Sequence, residues 1–228
     1  MKGLTLTQLL QDLEAKRPVV LVTNLDTNEQ RLLGRGEGSS EAEQRQVLQA
    51  LSEDRCAVVE EPGAPPLFFQ PFNPPLRLVI VGAVHIAQAL STMAAVAGYE
   101  VTIVDPRQAF AESERFSGVA TDTRWPDEAL TGLNLDSRVA VVTLTHDPKL
   151  DDPALEVALR SDAFFIGSLG SRKTHAARTR RLTKAGFTEA EIGRIHGPVG
   201  LPIGSRTPEE IAVSILAQIV ETLRVSRG

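Results

Sequence analysis

Three short stretches of the sequence carry residues able to act on an anionic ligand: Gly82-Ala83-Val84-His85, Thr145-His146-Asp147 and Gly170-Ser171-Arg172-Lys173. Ser171 is a natural helix N-cap, yet Arg172 and Lys173 put two cations in the first helical turn. There the helix dipole disfavours each by a few tenths to about 1 kcal/mol. An anion would reverse that cost, and together with glycine-flanked backbone N–H groups and the Ser171 hydroxyl the stretch reads as a phosphate cradle. The competing reading is that both cations point into water. His85 falls in a first helical turn, where it suits hydrogen bonding better than ion pairing, and a structural role is the commoner one for such a residue. His146 beside Asp147 is the stronger candidate, although Asp147 before Pro148 also fits a plain turn. His175 and His196 have no partner at metal-ligand spacing, so no protein-bound metal is expected. There is no G-x-S-x-G elbow and no Walker loop.

The elements that must position these residues are legible in the run Leu76 to Asp105. Leu76 to Val81 is a nearly continuous, β-branched apolar run of the kind that forms a parallel strand buried on both faces, and it stops at Gly82. From Val84 the apolar residues Ile86, Leu90, Met93, Ala94 and Ala97 recur at helical spacing until Gly98, a helix stop. A second strand, Val101 to Val104, ends on Asp105, which lies 105 − 82 = 23 residues after the glycine. This is the first βαβ unit of a Rossmann-like sheet. Its glycine fingerprint is altered: the three glycine places hold Gly82, Val84 and Ala87. Ala87 is harmless, but the Val84 side chain stands where a dinucleotide phosphate comes closest, which argues against routine NAD binding.

The rest of the chain predicts an α/β protein in two parts. A helix over Thr7–Lys16, strands at Val19–Val22, Arg31–Leu33, Cys56–Val59 and Leu67–Phe69, and a helix over Glu41–Leu51 form a small N-terminal α/β module, residues 1–74. The run Pro71-Phe72-Asn73-Pro74-Pro75 is expected to continue neither strand nor helix and marks the boundary. Residues 75–228 then form the Rossmann-like parallel sheet with helices on both faces. After Asp105 comes a polar stretch with Phe110 and Phe116. Further strands fall at Gly118–Thr121, Arg138–Thr143 and Ala163–Ile166. Asp152-Pro153 reads as a helix start, a helix follows Ser171, and Thr188/Glu191 and Thr207/Glu210 read as capping boxes. In open α/β sheets ligands sit beyond the carboxyl ends of the strands, where the three stretches fall.

Composition narrows the function classes. With 42% hydrophobic and 23% charged residues the chain is an ordinary globular one. A net charge of −5 without a basic block argues against nucleic acid. No 18-residue apolar run and no leader pattern is present, so no membrane span is expected and the expected location is the cytoplasm. The single cysteine, Cys56, reads as a half-buried strand residue rather than a reactive thiol.

Four stretches resemble the C-terminal Rossmann domain of the XdhC/CoxI family, accessory proteins of molybdenum hydroxylases: VIVGAVHIAQAL with VDPR, LTHDPKLDDPAL, FFIGSLGSRKTH, and GPVGLPIGSRTPEEIAVSILAQIV. Together they span most of Leu76 to Val220. The resemblance implies binding of molybdenum cofactor, a pyranopterin dithiolene carrying a phosphate, and its delivery to an apo molybdenum hydroxylase after sulfuration. The candidate cofactor-binding set is Gly82, His85, Asp105, Arg107, His146, Asp147, Gly170, Ser171, Arg172 and Lys173. Two departures stand out. The family usually has Gly-Ala-Gly-His where this chain has Gly82-Ala83-Val84-His85. No stretch matches the N-terminal Gly-Gly-Cys-Val-Glu motif of longer members, so Cys56 inherits no role, and a shortened member working beside a separate protein is expected. A sulfurtransferase and a second copy of the chain are further candidate partners. A non-catalytic cofactor chaperone is the favoured reading. The alternative is a Rossmann-type NAD(P)-dependent oxidoreductase, with Asp105 on the ribose hydroxyls and His146 as acid or base.

Overall fold

The computed structural model describes residues 3–107 and 114–225. Phe110 lies outside the described residues. The chain divides into two compact units, with the change at Pro74–Pro75.

The first unit is a four-stranded antiparallel sheet with two helices. In chain order it comprises α1 (Gly3–Glu14), β1 (Val19–Asn24), β2 (Gln30–Gly34), α2 (Glu41–Glu53), β3 (Ala57–Val59) and β4 (Leu67–Phe72), in the strand order β2-β1-β4-β3. Val20 and Val22 of β1, Phe69 of β4 and Val47, Ala50 and Leu51 of α2 form its core. β4 runs through Pro71, which pairs with Val20, where the proline-rich run was expected to break it. Beyond Phe69 the strand has β1 on one side only, because β3 ends opposite that residue. A missing N–H on the open side costs no ladder bond. Cys56 precedes β3 and is exposed rather than half-buried.

The second unit is a doubly wound sheet. It comprises β5 (Leu76–Val81), α3 (His85–Val96), β6 (Tyr99–Val104), a 3-10 turn (Glu114–Phe116), β7 (Ala120–Asp122), α4 (Pro126–Gly132), β8 (Val139–Thr143), α5 (Pro148–Leu159), β9 (Phe165–Ser168), α6 (Arg172–Lys184), α7 (Glu189–Ile192), β10 (Ile195–His196) and α8 (Pro208–Val225). All five strand pairings are parallel, and the order is β10-β9-β8-β5-β6-β7. The strands carry apolar side chains on both faces, as the unbroken apolar runs require. Leu78, Ile80 and Ile103 face Leu90 and Ala94 of α3 and Ile215 and Ile219 of α8. Val79, Val81 and Val141 face Leu130 of α4, Leu155 of α5 and Leu182 of α6. Val81 is level with Val104 on one side and Thr143 on the other, so the carboxyl ends of β6, β5 and β8 align along one edge. The chain leaves β5 toward β6 and later returns to its other side as β8, and this reversal puts the topological switch point between the ends of β5 and β8.

Local capping rules account for most helix boundaries. Gly98 adopts φ +87° after α3, Ser171 caps α6, and Thr188 with Glu191 makes a full capping box for α7. α5 departs from expectation: it starts at Pro148 with Asp147 as its N-cap, and Pro153 lies inside it. Asp152, expected to cap the helix, instead pairs with Arg181 of α6.

Candidate functional site

The turn after β5 is built around Gly82 and Asp105. Gly82 has φ +110°, and its N–H donates to the Val104 carbonyl at 2.8 Å. A Cβ at this position would lie 2.6 Å from Thr145 Cγ2, so glycine serves both the left-handed backbone and the close approach of the β8 end. The Ala83 N–H donates to Asp105 Oδ2 at 2.8 Å. Arg107 completes the set: its backbone N–H and Nε donate to Oδ1 at 3.0 and 2.9 Å, and Nη2 to Oδ2 at 2.7 Å. Burial alone pushes the Asp105 carboxyl up, but these bonds outweigh it and hold the group below the usual carboxylate range. Asp105 is fully buried, with both oxygens occupied. Expected among the cofactor-binding residues, Asp105 braces the turn from within, and Arg107 is the group at this strand end that reaches solvent. The Asp105 bonds and, further off, the charge of Asp147 raise the Arg107 pKa.

Val84 is the N-cap of α3 with extended backbone and no side-chain cap bond, so no side chain of the cap residue closes the first helical N–H groups. His85 is exposed at the first helical position, and its Nδ1 meets Arg115 Nη1 at 3.1 Å. A guanidinium can only donate, which makes Nδ1 the accepting nitrogen.

At the end of β8, Thr145 organises the loop. Its hydroxyl donates to Asp151 Oδ1 at 2.6 Å and accepts the Asp147 N–H at 3.1 Å. Between them His146 sits at φ +61°, a left-handed conformation uncommon outside glycine, with its side chain exposed. Asp147 is exposed too, and Oδ1 accepts the Lys149 N–H at 3.0 Å as the α5 cap.

At the end of β9, Gly170 adopts φ +139° and Ser171 Oγ accepts the Thr174 N–H at 3.1 Å. Arg172 and Lys173 are exposed and have no partner among the described residues. A residue further along α6, not singled out by the sequence, is also engaged at this strand end. Arg178, four residues before the buried Leu182 on the same face of α6, is 1% exposed. Its Nη2 donates to the Leu169 carbonyl at 3.0 Å and lies 3.9 Å from Asp151 Oδ2, while Nε and Nη1 have no partner among the described residues. Burial pushes the Arg178 pKa down, and pushes that of Asp151 up against the opposing effects of Thr145 and Arg178. Arg178 thus ties the β9 end, through Leu169, to the β8 end, through Asp151 and Thr145. The one available signal was its i, i+4 relation to Leu182 in an otherwise polar helix.

The sheet order therefore brings all three stretches to the ends of the adjacent strands β5, β8 and β9. Exposed His85, Arg107, His146, Asp147, Ser171, Arg172 and Lys173 lie along that edge, while Gly82, Asp105 and Gly170 shape its backbone. Among the described residues no group of three His, Cys, Asp or Glu side chains is placed to hold a metal ion.

An all-parallel sheet of this order, with a glycine turn at the switch point, defines a doubly wound Rossmann domain. The chain belongs to the XdhC family: the XdhC Rossmann domain matches residues 78–219. The molybdenum cofactor insertion chaperone PaoD of Escherichia coli K12 is 31% identical over 148 residues, which are 65% of this chain and 40% of that protein. A probable xanthine dehydrogenase subunit of Bacillus subtilis 168 is 32% identical over 157 residues, 68% of this chain and 46% of that one. The chain spans 28% to 46% of the length of the curated relatives it matches. A crystal structure of a xanthine dehydrogenase from Bacillus halodurans superposes with a TM-score of 0.70 at 26% identity, covering 98% of this chain and 66% of that chain.

Proposed function

We propose that this chain is an accessory factor for a molybdenum hydroxylase, and that the carboxyl edge of its Rossmann unit holds molybdenum cofactor as cargo for delivery. The observation that carries this reading is the pair Arg172 and Lys173, exposed and without partners among the described residues, in the first turn of α6 beside a left-handed Gly170. Two cations set against a helix dipole are stabilised by an anion, and the phosphate of the cofactor is one. His85 and His146, on the neighbouring strand ends, supply hydrogen-bonding groups for a polar pterin ring. The name of PaoD supports the same reading, as does the family to which the chain belongs. A chaperone needs such a cradle but no acid, base or nucleophile poised at a reacting atom.

The oxidoreductase reading asks Asp105 to accept ribose hydroxyls, and here its carboxylate is buried and fully engaged. The discriminating experiment is to purify the chain from cells making the cofactor and to identify the retained ligand after oxidation. A fluorescent pterin, lost in His146→Ala, supports cofactor binding at this edge, and activation of an apo molybdenum hydroxylase by the loaded chain supports delivery. Bound NAD, or steady turnover of NAD(P)H abolished by His146→Ala, overturns it.

A further inference from the structure

Helix α8 carries two apolar stripes. One, with Ala212, Ile215, Ile219 and Leu223, is buried in the unit's core. The other faces outward: Val213 is 45% and Val220 40% exposed, Leu216 and Ala217 lie between them, and with Met93 of α3 they line an open apolar groove. Residues three, four and seven apart share a helix face, so Glu209, Val213, Leu216, Ala217, Val220 and Arg224 form a single stripe about 100° wide.

This stripe is symmetric about the midpoint between Leu216 and Ala217. Three residues out on either side stand Val213 and Val220, and seven residues out stand Glu209 and Arg224. We propose that α8 packs antiparallel against α8 of a second copy of this chain, around a two-fold axis at Leu216 and Ala217. Each Val213 then meets the partner's Val220, and each Glu209 meets the partner's Arg224. The interface is isologous, and every favourable contact occurs twice. The apolar centre supplies the association energy, and the two charge pairs at the ends set orientation and register. Parallel pairing would put Glu209 against its own copy and Arg224 likewise. A slip of one turn would set Glu209 against the partner's Val220. This face is independent of the strand-end edge, so the proposal stands or falls apart from the cofactor reading.

The test is sedimentation equilibrium on the whole chain with Cys56→Ser as background. The expected result is a dimer, converted to monomer by Val213→Glu with Val220→Glu while circular dichroism stays unchanged. Glu209→Arg alone should weaken the dimer roughly threefold to tenfold, and adding Arg224→Glu should restore it. As a check that does not depend on a charge in the stripe, Val213→Cys mixed with Val220→Cys should oxidise to a cross-linked dimer, and Val213→Cys alone should not. A monomer at every concentration, a dimer that survives both glutamates, or self-cross-linking by Val213→Cys overturns the proposal.

Discussion

Asp105 Oδ2 accepts the Ala83 N–H at 2.8 Å, which ties the end of β6 to the turn that follows β5. Asp105→Asn keeps the shape but removes the charge that Arg107 grips, and should cost about 2–3 kcal/mol in urea denaturation at pH 7. The carboxyl is held below its ordinary range, so its contribution is complete at neutral pH and is lost progressively below roughly pH 5. Melts at pH 7, 5 and 3 should show the two proteins converging in acid. A constant difference down to pH 3 would mean that the carboxylate charge is not what stabilises the turn.

Gly82→Ala should destabilise through two separable causes. Its Cβ would meet Thr145 Cγ2 at 2.6 Å, and its φ of +110° suits no side chain. The clash and the backbone each cost about 1–2 kcal/mol. Thr145→Ser, which removes Cγ2 but keeps the hydroxyl on Asp151, should recover the first part only in a double-mutant cycle. Full recovery would assign the whole effect to the clash.

Arg178 and Asp151 should prove strongly coupled. Arg178→Met leaves Asp151 buried without its counter-charge and should cost about 3–5 kcal/mol. Adding Asp151→Asn should remove much of that loss, because no charge is then stranded. Strict additivity of the two substitutions would show that the 3.9 Å separation carries no useful interaction.

Arg172→Ala with Lys173→Ala should move stability and affinity in opposite directions. Removing two cations from a helix N-terminus should raise stability by a few tenths of a kcal/mol each. Affinity for molybdenum cofactor should fall roughly tenfold or more per residue. Unchanged affinity by calorimetry would remove both residues from the site.

Val84→Gly should tighten NAD binding, because Val84 stands at the second glycine place with an extended backbone that needs no side chain. Tight NAD binding by the unsubstituted protein would refute the steric argument.

The sequence alone shows the βαβ start, since an apolar run ending at Gly82 and an acid-tipped second strand are local signals. The caps at Ser171 and Thr188 follow from equally local rules. Two Asp-Pro pairs five residues apart, Asp147-Pro148 and Asp152-Pro153, both satisfy the capping rule, and only packing of α5 on α6 chooses the first. The same packing creates the Thr145–Asp151–Arg178 link, in which Arg178 comes from a different helix and is marked in the sequence only by its i, i+4 relation to Leu182. Asp105 shows its place at a strand end but not its direction, which depends on where Arg107 and Ala83 lie in space.

The central position of β5 also bears on how the protein emerges from the ribosome. Arg77 of β5 pairs with Glu100 on one side and with Val139 on the other. A nascent chain that has reached β6 therefore leaves one edge of β5 open until β8 is synthesised. One face of the sheet waits longer still, for Ile215 and Ile219 of α8. Long-range pairing of this kind slows folding and prolongs exposure of unpaired edges. The Rossmann unit is thus most vulnerable to aggregation and proteolysis midway through translation.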